Sequence, residues 1–267
     1  MKRTILIHHH IYKNAGTSIQ YALKKNFREN YYECDLGNHK VVTKDILENF
    51  ILEHSQALAI SGHHVCMPTP QGEEYKTISM ILLRKPLARI ESMYNYERQR
   101  KQVLTAGDRK AKELNIKEYV EWRLEKTPCL ICNYQTYYCS REEGGKPSNV
   151  ITEKDLERAI ENIIASTVVG TVEKYGETLK LANIQLSRYY PGIELEYKKA
   201  NRSKKEREKK DTQEEKIQEE LGENIMKRLK EGNELDDKLY SVATAILNRR
   251  LRRLEKNKKN EMIKVDN

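Results

Sequence analysis

Three short groups of residues have the types and spacing to hold a phosphate or sulfate group and to move a proton beside it. The first is Lys13-Asn14-Ala15-Gly16-Thr17-Ser18. It follows the apolar, β-branched run Thr4-Ile5-Leu6-Ile7 and leads into Ile19-Gln20-Tyr21-Ala22-Leu23-Lys24, which has helical character. Strand, small-residue loop and helix together aim main-chain N–H groups and a helix N-terminus at an anion. The loop is not a Walker A sequence, which reads Gly-x-x-x-x-Gly-Lys-Ser/Thr. Here Lys13 precedes the glycine, Gly16, and would reach a ligand from the strand side. A plain turn capped by Thr17 or Ser18 uses the same residues.

The second group is Arg84 and Ser92. The run Thr77-Ile78-Ser79-Met80-Ile81-Leu82-Leu83 reads as a buried strand. Pro86 suits the first turn of a helix, in which Leu87, Ile90 and Tyr94 share a face. Arg84 then stands at the strand's C-terminal end, where open α/β sheets bind ligands. A guanidinium there, with Ser92 two turns into the helix, can hold a second phosphate through parallel charge-assisted bonds. A surface arginine and a solvated serine are the plainer account. The third group, Ser61-Gly62-His63-His64-Val65, offers a neutral imidazole near pH 7. His63 is the candidate general base and His64 its rival, since adjacent residues of an extended chain face opposite ways.

These groups need elements to position them. Periodicity predicts strands near 3–9, 57–61, 77–83, 166–171 and 193–197. It predicts helices near 17–28, 43–54, 86–102, 115–125, 129–139, 152–165, 174–188, 211–230 and 235–257. Such alternation implies an α/β fold, a P-loop-like parallel sheet flanked by helices on both faces, with a helical C-terminal extension. One domain over 1–267 is expected. Glu142–Ser148 reads as a surface loop, and 198–211, almost without apolar residues, as mobile in the absence of a ligand.

Taken together, the first two groups resemble the sulfotransferase family that uses 3′-phosphoadenosine 5′-phosphosulfate (PAPS), in its carbohydrate, heparan-sulfate-type branch. The family's first motif resembles His10-Ile11-Tyr12-Lys13-Asn14-Ala15-Gly16-Thr17-Ser18, with Tyr12 where the family often has proline. Its second, Arg-x-Pro-x-x-Arg-x-x-Ser-x-Tyr, is matched by Arg84, Pro86, Arg89, Ser92 and Tyr94. Fainter likenesses run through Gly62-His63, through Asn133-Tyr134-Gln135-Thr136, through Val169 to Tyr175, and through Asp236 to Tyr240. The resemblance implies transfer of a sulfuryl group from PAPS to an acceptor hydroxyl, on a glycan in this branch, giving 3′-phosphoadenosine 5′-phosphate (PAP). It implies that Lys13, Asn14, Ala15, Gly16, Thr17 and Ser18 hold the 5′-phosphosulfate. It implies likewise that Arg84 and Ser92 hold the 3′-phosphate and that Lys13 and His63 serve catalysis. It implies no metal, and it places Asn201-Arg202-Ser203 in a loop closing over the nucleotide.

Bulk properties narrow the field. The 267 residues carry a net charge of +9. Residues 198–267 hold 21 Lys/Arg against 15 Asp/Glu, so the excess lies in the C-terminal quarter. An electrostatic footprint for an anionic polymer is one reading; over 204–231 acids are interleaved, which reads as solvated helix faces, and no nucleic-acid partner is expected. No run of apolar residues is long enough to span a membrane. The opening strand is too short and too histidine-rich for a signal peptide, so a cytoplasmic chain is expected unless it is excised from a longer lumenal protein. Cys34, Cys66, Cys129, Cys132 and Cys139 read as free thiols. Cys129 and Cys132 have zinc-ligand spacing but lack a second pair. His8, His9 and His10 would alternate across a strand and could not chelate one ion. Two other classes remain open. A P-loop kinase or ATPase wants a Gly-Lys-Ser/Thr pair and a strand-ending Asp for magnesium. A non-catalytic polyanion-binding module on the same fold would show salt-sensitive binding independent of PAPS.

Overall fold

In the computed structural model, the described residues are 2–37, 40–141, 150–196 and 204–265, with side chains omitted for 204–214 and 257–265. In chain order the elements are β1 (Arg3–His9), α1 (Gly16–Phe27), β2 (Tyr31–Glu33), α2 (Lys44–Glu53), β3 (Ala59–Gly62), β4 (Tyr75–Leu83), α3 (Pro86–Gln99), α4 (Ala106–Glu113) and α5 (Ile116–Lys126). There follow α6 (Tyr134–Ser140), α7 (Glu153–Ala165), β5 (Val168–Thr171), α8 (Tyr175–Leu186), α9 (Lys204–Gly232) and α10 (Glu234–Val265).

The five strands form one parallel sheet in the order β2-β3-β1-β4-β5. Strand side chains alternate between its faces. Leu6, Ile78, Met80, Leu82 and Val168 meet Ile19 and Leu23 of α1 and Leu179 and Leu186 of α8. The other face carries Ile5, Ile7 and Ile60 against Leu47 and Ile51 of α2. Alongside them, Ile81, Leu83 and Val169 pack on α6, α7 and α10. Burial on both faces is why these strands read as continuous apolar runs. The fold class expected from the sequence is the one observed. The C-terminal helices belong to the same body: Leu235, Leu239 and Ala243 join the core against the sheet, and Leu221, Ile225 and Leu229 pack on the α3–α5 layer.

From β1 the chain winds one way to β2 and β3, then the other way to β4 and β5. The C-terminal end of β1 is therefore where the winding reverses, the place where such sheets bind ligands. Because every strand runs the same way, the residues after His9, Gly62, Leu83 and Thr171 all emerge at that one edge.

Several boundaries depart from expectation. Residues 193–196 form no strand. Asn183 brackets Leu195 by donating to its carbonyl and accepting from its N–H, at 3.3 and 2.7 Å. Asn26 does the same for Glu194, at 2.9 Å each way. Side-chain amides thus satisfy a backbone that alternation alone would send to a sheet. The fifth strand is β2, three residues long, and α4 also went unpredicted. The helix expected over 129–139 is a short 3-10 turn, Pro128–Leu130, then α6, separated by Asn133 in the left-handed region at φ 45°. Helix α9 begins at Lys204, so the expected mobile stretch is helical from there, and it breaks at Gly222, φ 74°. The loop expected at 142–148, and Asn201-Arg202-Ser203, lie outside the described residues.

Candidate active site

The loop between β1 and α1 passes through the left-handed region twice, at Lys13 (φ 68°) and Ala15 (φ 60°). For residues with a Cβ this costs about 1–2 kcal/mol each. Asn14, buried between them, holds the turn: its Nδ2 donates to the Leu82 carbonyl at 2.9 Å and to Gln135 Oε1 at 2.7 Å. Its main-chain N–H donates to the Ile11 carbonyl. Asn14 therefore shapes the loop from inside. The Ser18 N–H closes on Ala15 O, while the Thr17 and Ser18 side chains stand exposed. Helix α1 has no side-chain cap and no acid in its first turn. A backbone nest at a bare helix N-terminus is a concavity suited to an anion.

Arg84 joins this loop from the end of β4. Its Nη1 donates to the Lys13 carbonyl at 3.0 Å. Gln135 clamps the two segments together. Its Oε1 accepts from Asn14 and from the Arg84 N–H (2.9 Å), and its Nε2 donates to Arg84 O (2.8 Å). Asp236 of α10 in turn accepts from the main-chain N–H groups of Gln135 and Thr136, at 3.1 and 2.7 Å, and caps α6. Asn133 reaches back to accept from the N–H groups of Leu235 and Asp236, both at 3.1 Å. The Lys13 ammonium lies 3.8 Å from the ring centroid of Tyr96. Burial, and then the Arg84 guanidinium, push the Lys13 pKa down to about 8. Ser92 is half-buried, two turns into α3, on the same helical face as Tyr96. Helix α3, like α1, has no side-chain cap and no acid in its first turn.

His63 follows β3 at the same edge. Its N–H donates to Asp35 Oδ1 at 2.7 Å, and its Nδ1 lies 3.1 Å from the His10 carbonyl. A carbonyl only accepts, so in the neutral ring Nδ1 carries the proton and Nε2 the lone pair. The His63 ring lies 3.8 Å from that of His10. His64 turns elsewhere: its Nδ1 lies 3.3 Å from Arg141 Nη1. His8 and His10 stack on one face of the strand at 5.5 Å, while His9, on the other, meets Ser79. Burial pushes the His9 and His10 pKa values down to about 3 and holds His8 well below its usual value.

The fold thus brings Lys13, Gly16, Thr17, Ser18, Arg84 and His63 to one edge. Sequence reasoning missed the parts that hold them there. Gln135 and Asp236 fell inside the fainter likenesses, but Tyr96 and the contact of His10 with His63 had no local signal. All five cysteines are free. Among the described residues no group of three or more His, Cys, Asp or Glu could hold a metal, and no helix is long and apolar enough to cross a membrane.

Fold and site together define a doubly wound α/β protein with an anion-receptive cradle, two cations and an oriented imidazole at the C-terminal edge of its sheet. No family model matches the chain. It is 27% identical over 247 residues to a protein of Archaeoglobus fulgidus described as an uncharacterized protein, covering 90% of this chain and 96% of that one.

Proposed function

We propose that the protein is a sulfotransferase that moves a sulfuryl group from PAPS to an acceptor hydroxyl, on a carbohydrate by the branch resemblance, by in-line transfer with His63 as general base. One observation carries the reading. Lys13 and Arg84, from motifs 71 residues apart, meet at the head of an uncapped helix, near enough for Arg84 to depress the Lys13 pKa. Two cations held together beside bare amides are electrostatically matched to a polyanion. The resemblance supplies which polyanion.

The residues fit that cofactor. The nest, Thr17 and Ser18 would receive the 5′-phosphosulfate, and Arg84 and Ser92 the 3′-phosphate. When bound, PAPS supplies an activated sulfuryl group and PAP as leaving product. Lys13 would swing from Tyr96 to offset the negative charge that grows on the leaving oxygen. His63 Nε2 would take the proton of the acceptor hydroxyl, which must lie in line with the leaving oxygen. The His10 carbonyl accepts from the Nδ1 N–H and so leaves the lone pair on Nε2.

The test is nucleotide preference followed by product mass. PAP should raise the melting temperature, by an amount set by ligand excess, about 2.7 kcal/mol at 100 times Kd. ATP with magnesium should do little. Incubation with PAPS and a panel of glycans should add one sulfate to a product. Equal stabilisation by PAP and by ATP with magnesium, without sulfation, would favour the kinase class.

A further inference from the structure

We propose that His10 is the positioning residue of this site: its ring, wedged between Gly16 and His63, sets the height and tilt of the base against the first turn of α1. This rests on the sulfotransferase reading. The wedge is visible from three sides. On one side, a Cβ at Gly16 would fall 1.7 Å from His10 Cδ2 and 2.0 Å from Nε2, so the imidazole occupies the space that any side chain at 16 would need. On the second, the His63 ring lies 3.8 Å away at an interplanar angle of 30°. On the third, the His8 ring stacks at 5.5 Å and 24°. The main chain of His10 is fixed as well. Its N–H donates to the Gly62 carbonyl at 3.0 Å, and its own carbonyl accepts from His63 Nδ1.

The ring is 5% exposed, and its Nδ1 is buried with no hydrogen-bond partner. Nor does His10 relay protons. Burial, then His63, then Lys13 push its pKa down to about 3, so it stays neutral at working pH. Neutrality serves the base instead. When His63 takes the acceptor's proton, the new imidazolium meets a neutral π face, not a second cation. Cradle and base are thereby built on one side chain: a shift of α1 at Gly16 moves His10, and with it His63.

The experiment reads the His63 tautomer by ¹⁵N NMR, alongside PAP affinity and turnover with PAPS. In the wild type, His63 should be the Nδ1–H tautomer. His10→Ala keeps the main-chain carbonyl but removes the wedge. We expect a tautomer mixture, PAP affinity within about threefold, and a turnover loss on the order of 10–100-fold, the scale of a misplaced base. His10→Phe, a flat ring that cannot titrate, should restore the Nδ1–H tautomer and most of the rate. Should His10→Ala fail to fold, His10→Leu, which fills the space without a flat face, must show the same tautomer mixture. An unchanged His63 tautomer in the folded Ala or Leu variant overturns the proposal. A wild type with an ordered tautomer but no sulfation of any acceptor sinks the sulfotransferase reading and leaves the tautomer result to judge His10 alone.

Discussion

The helical layer and the edge of the sheet treat charge in opposite ways. In the layer, α4 and α5 open with capping boxes built on Thr105 with Asp108 and on Asn115 with Glu118. Glu97, buried, takes two bonds from Arg123 Nη2 and one from the Tyr119 hydroxyl, at 2.6–2.9 Å. Gly107 leaves room for that pair, since a Cβ there would lie 2.0 Å from Arg123 Nη2. These charges are answered from within the chain. At the sheet edge, α1 opens with no side-chain cap and no acid in its first turn, α3 has only Glu173 accepting from the Lys85 N–H at 3.3 Å, and Lys13 and Arg84 sit side by side. The contrast is between charge paired with its opposite inside the fold and two like charges brought together at one edge.

The largest effect should come from the base. His63→Ala should lower turnover about 10²–10⁴-fold while PAP affinity holds, with His64→Ala far milder. Steady-state rates beside calorimetric binding decide it. If both variants stay active, the base is not in this loop.

The next pair tests the contrast directly by urea unfolding. Glu97→Ala leaves a guanidinium buried and should cost about 3–5 kcal/mol. Lys13→Met removes one of two repelling cations and should leave stability unchanged or slightly raised. A comparable loss from Lys13→Met would mean that the edge also maintains the fold.

Acid should attack the edge through its buried histidines. His9 and His10 have folded pKa values near 3, below the unfolded value of about 6.5. The unfolded chain binds more protons below that pH, so stability is full above it and falls as pH drops through it. Each group should cost about 1.4 kcal/mol between pH 7.5 and 5.5. Proton uptake on unfolding, measured at pH 5.5, should reach at least about two. Uptake near zero would contradict neutral burial.

Arg84→Ala should remove about 1.5–3 kcal/mol of PAP affinity and much less from adenosine 5′-phosphate. Equal losses for both nucleotides would mean that Arg84 acts only through the Lys13 carbonyl. The smallest effect concerns the bare helix. Ser18→Asp supplies α1 with an acid in its first turn and should stabilise the fold by about 0.3–1 kcal/mol while abolishing PAP binding. Asn115→Ala, in a capped helix, should lose about 1 kcal/mol and leave binding alone. Tighter PAP binding by the Ser18→Asp protein would disprove the anion assignment of α1.

Much of this was legible from local chemistry. The runs at 4–7 and 77–83 announced buried parallel strands, because a strand covered on both faces must be apolar throughout. Pro86 marked the start of α3, and the helix start expected near 17 fell within a residue of that of α1. Where reading failed, the backbone was satisfied from far away: Asn26 and Asn183 hold 194–195 out of the sheet, and β2 is too short to carry a period.

By itself, the sequence determined which residues could meet an anion and in which order strand, loop and helix present them. Those choices rest on dihedral freedom, strand alternation and side-chain charge, all local quantities. Only the tertiary structure decided that Lys13 lies beside Arg84, that Gln135 and Asp236 clamp the two segments, and that His63 presents Nε2 while His64 turns to Arg141. Those are long-range hydrogen bonds and ring contacts, and no local pattern encodes the partner of a buried amide or the neighbour of an imidazole.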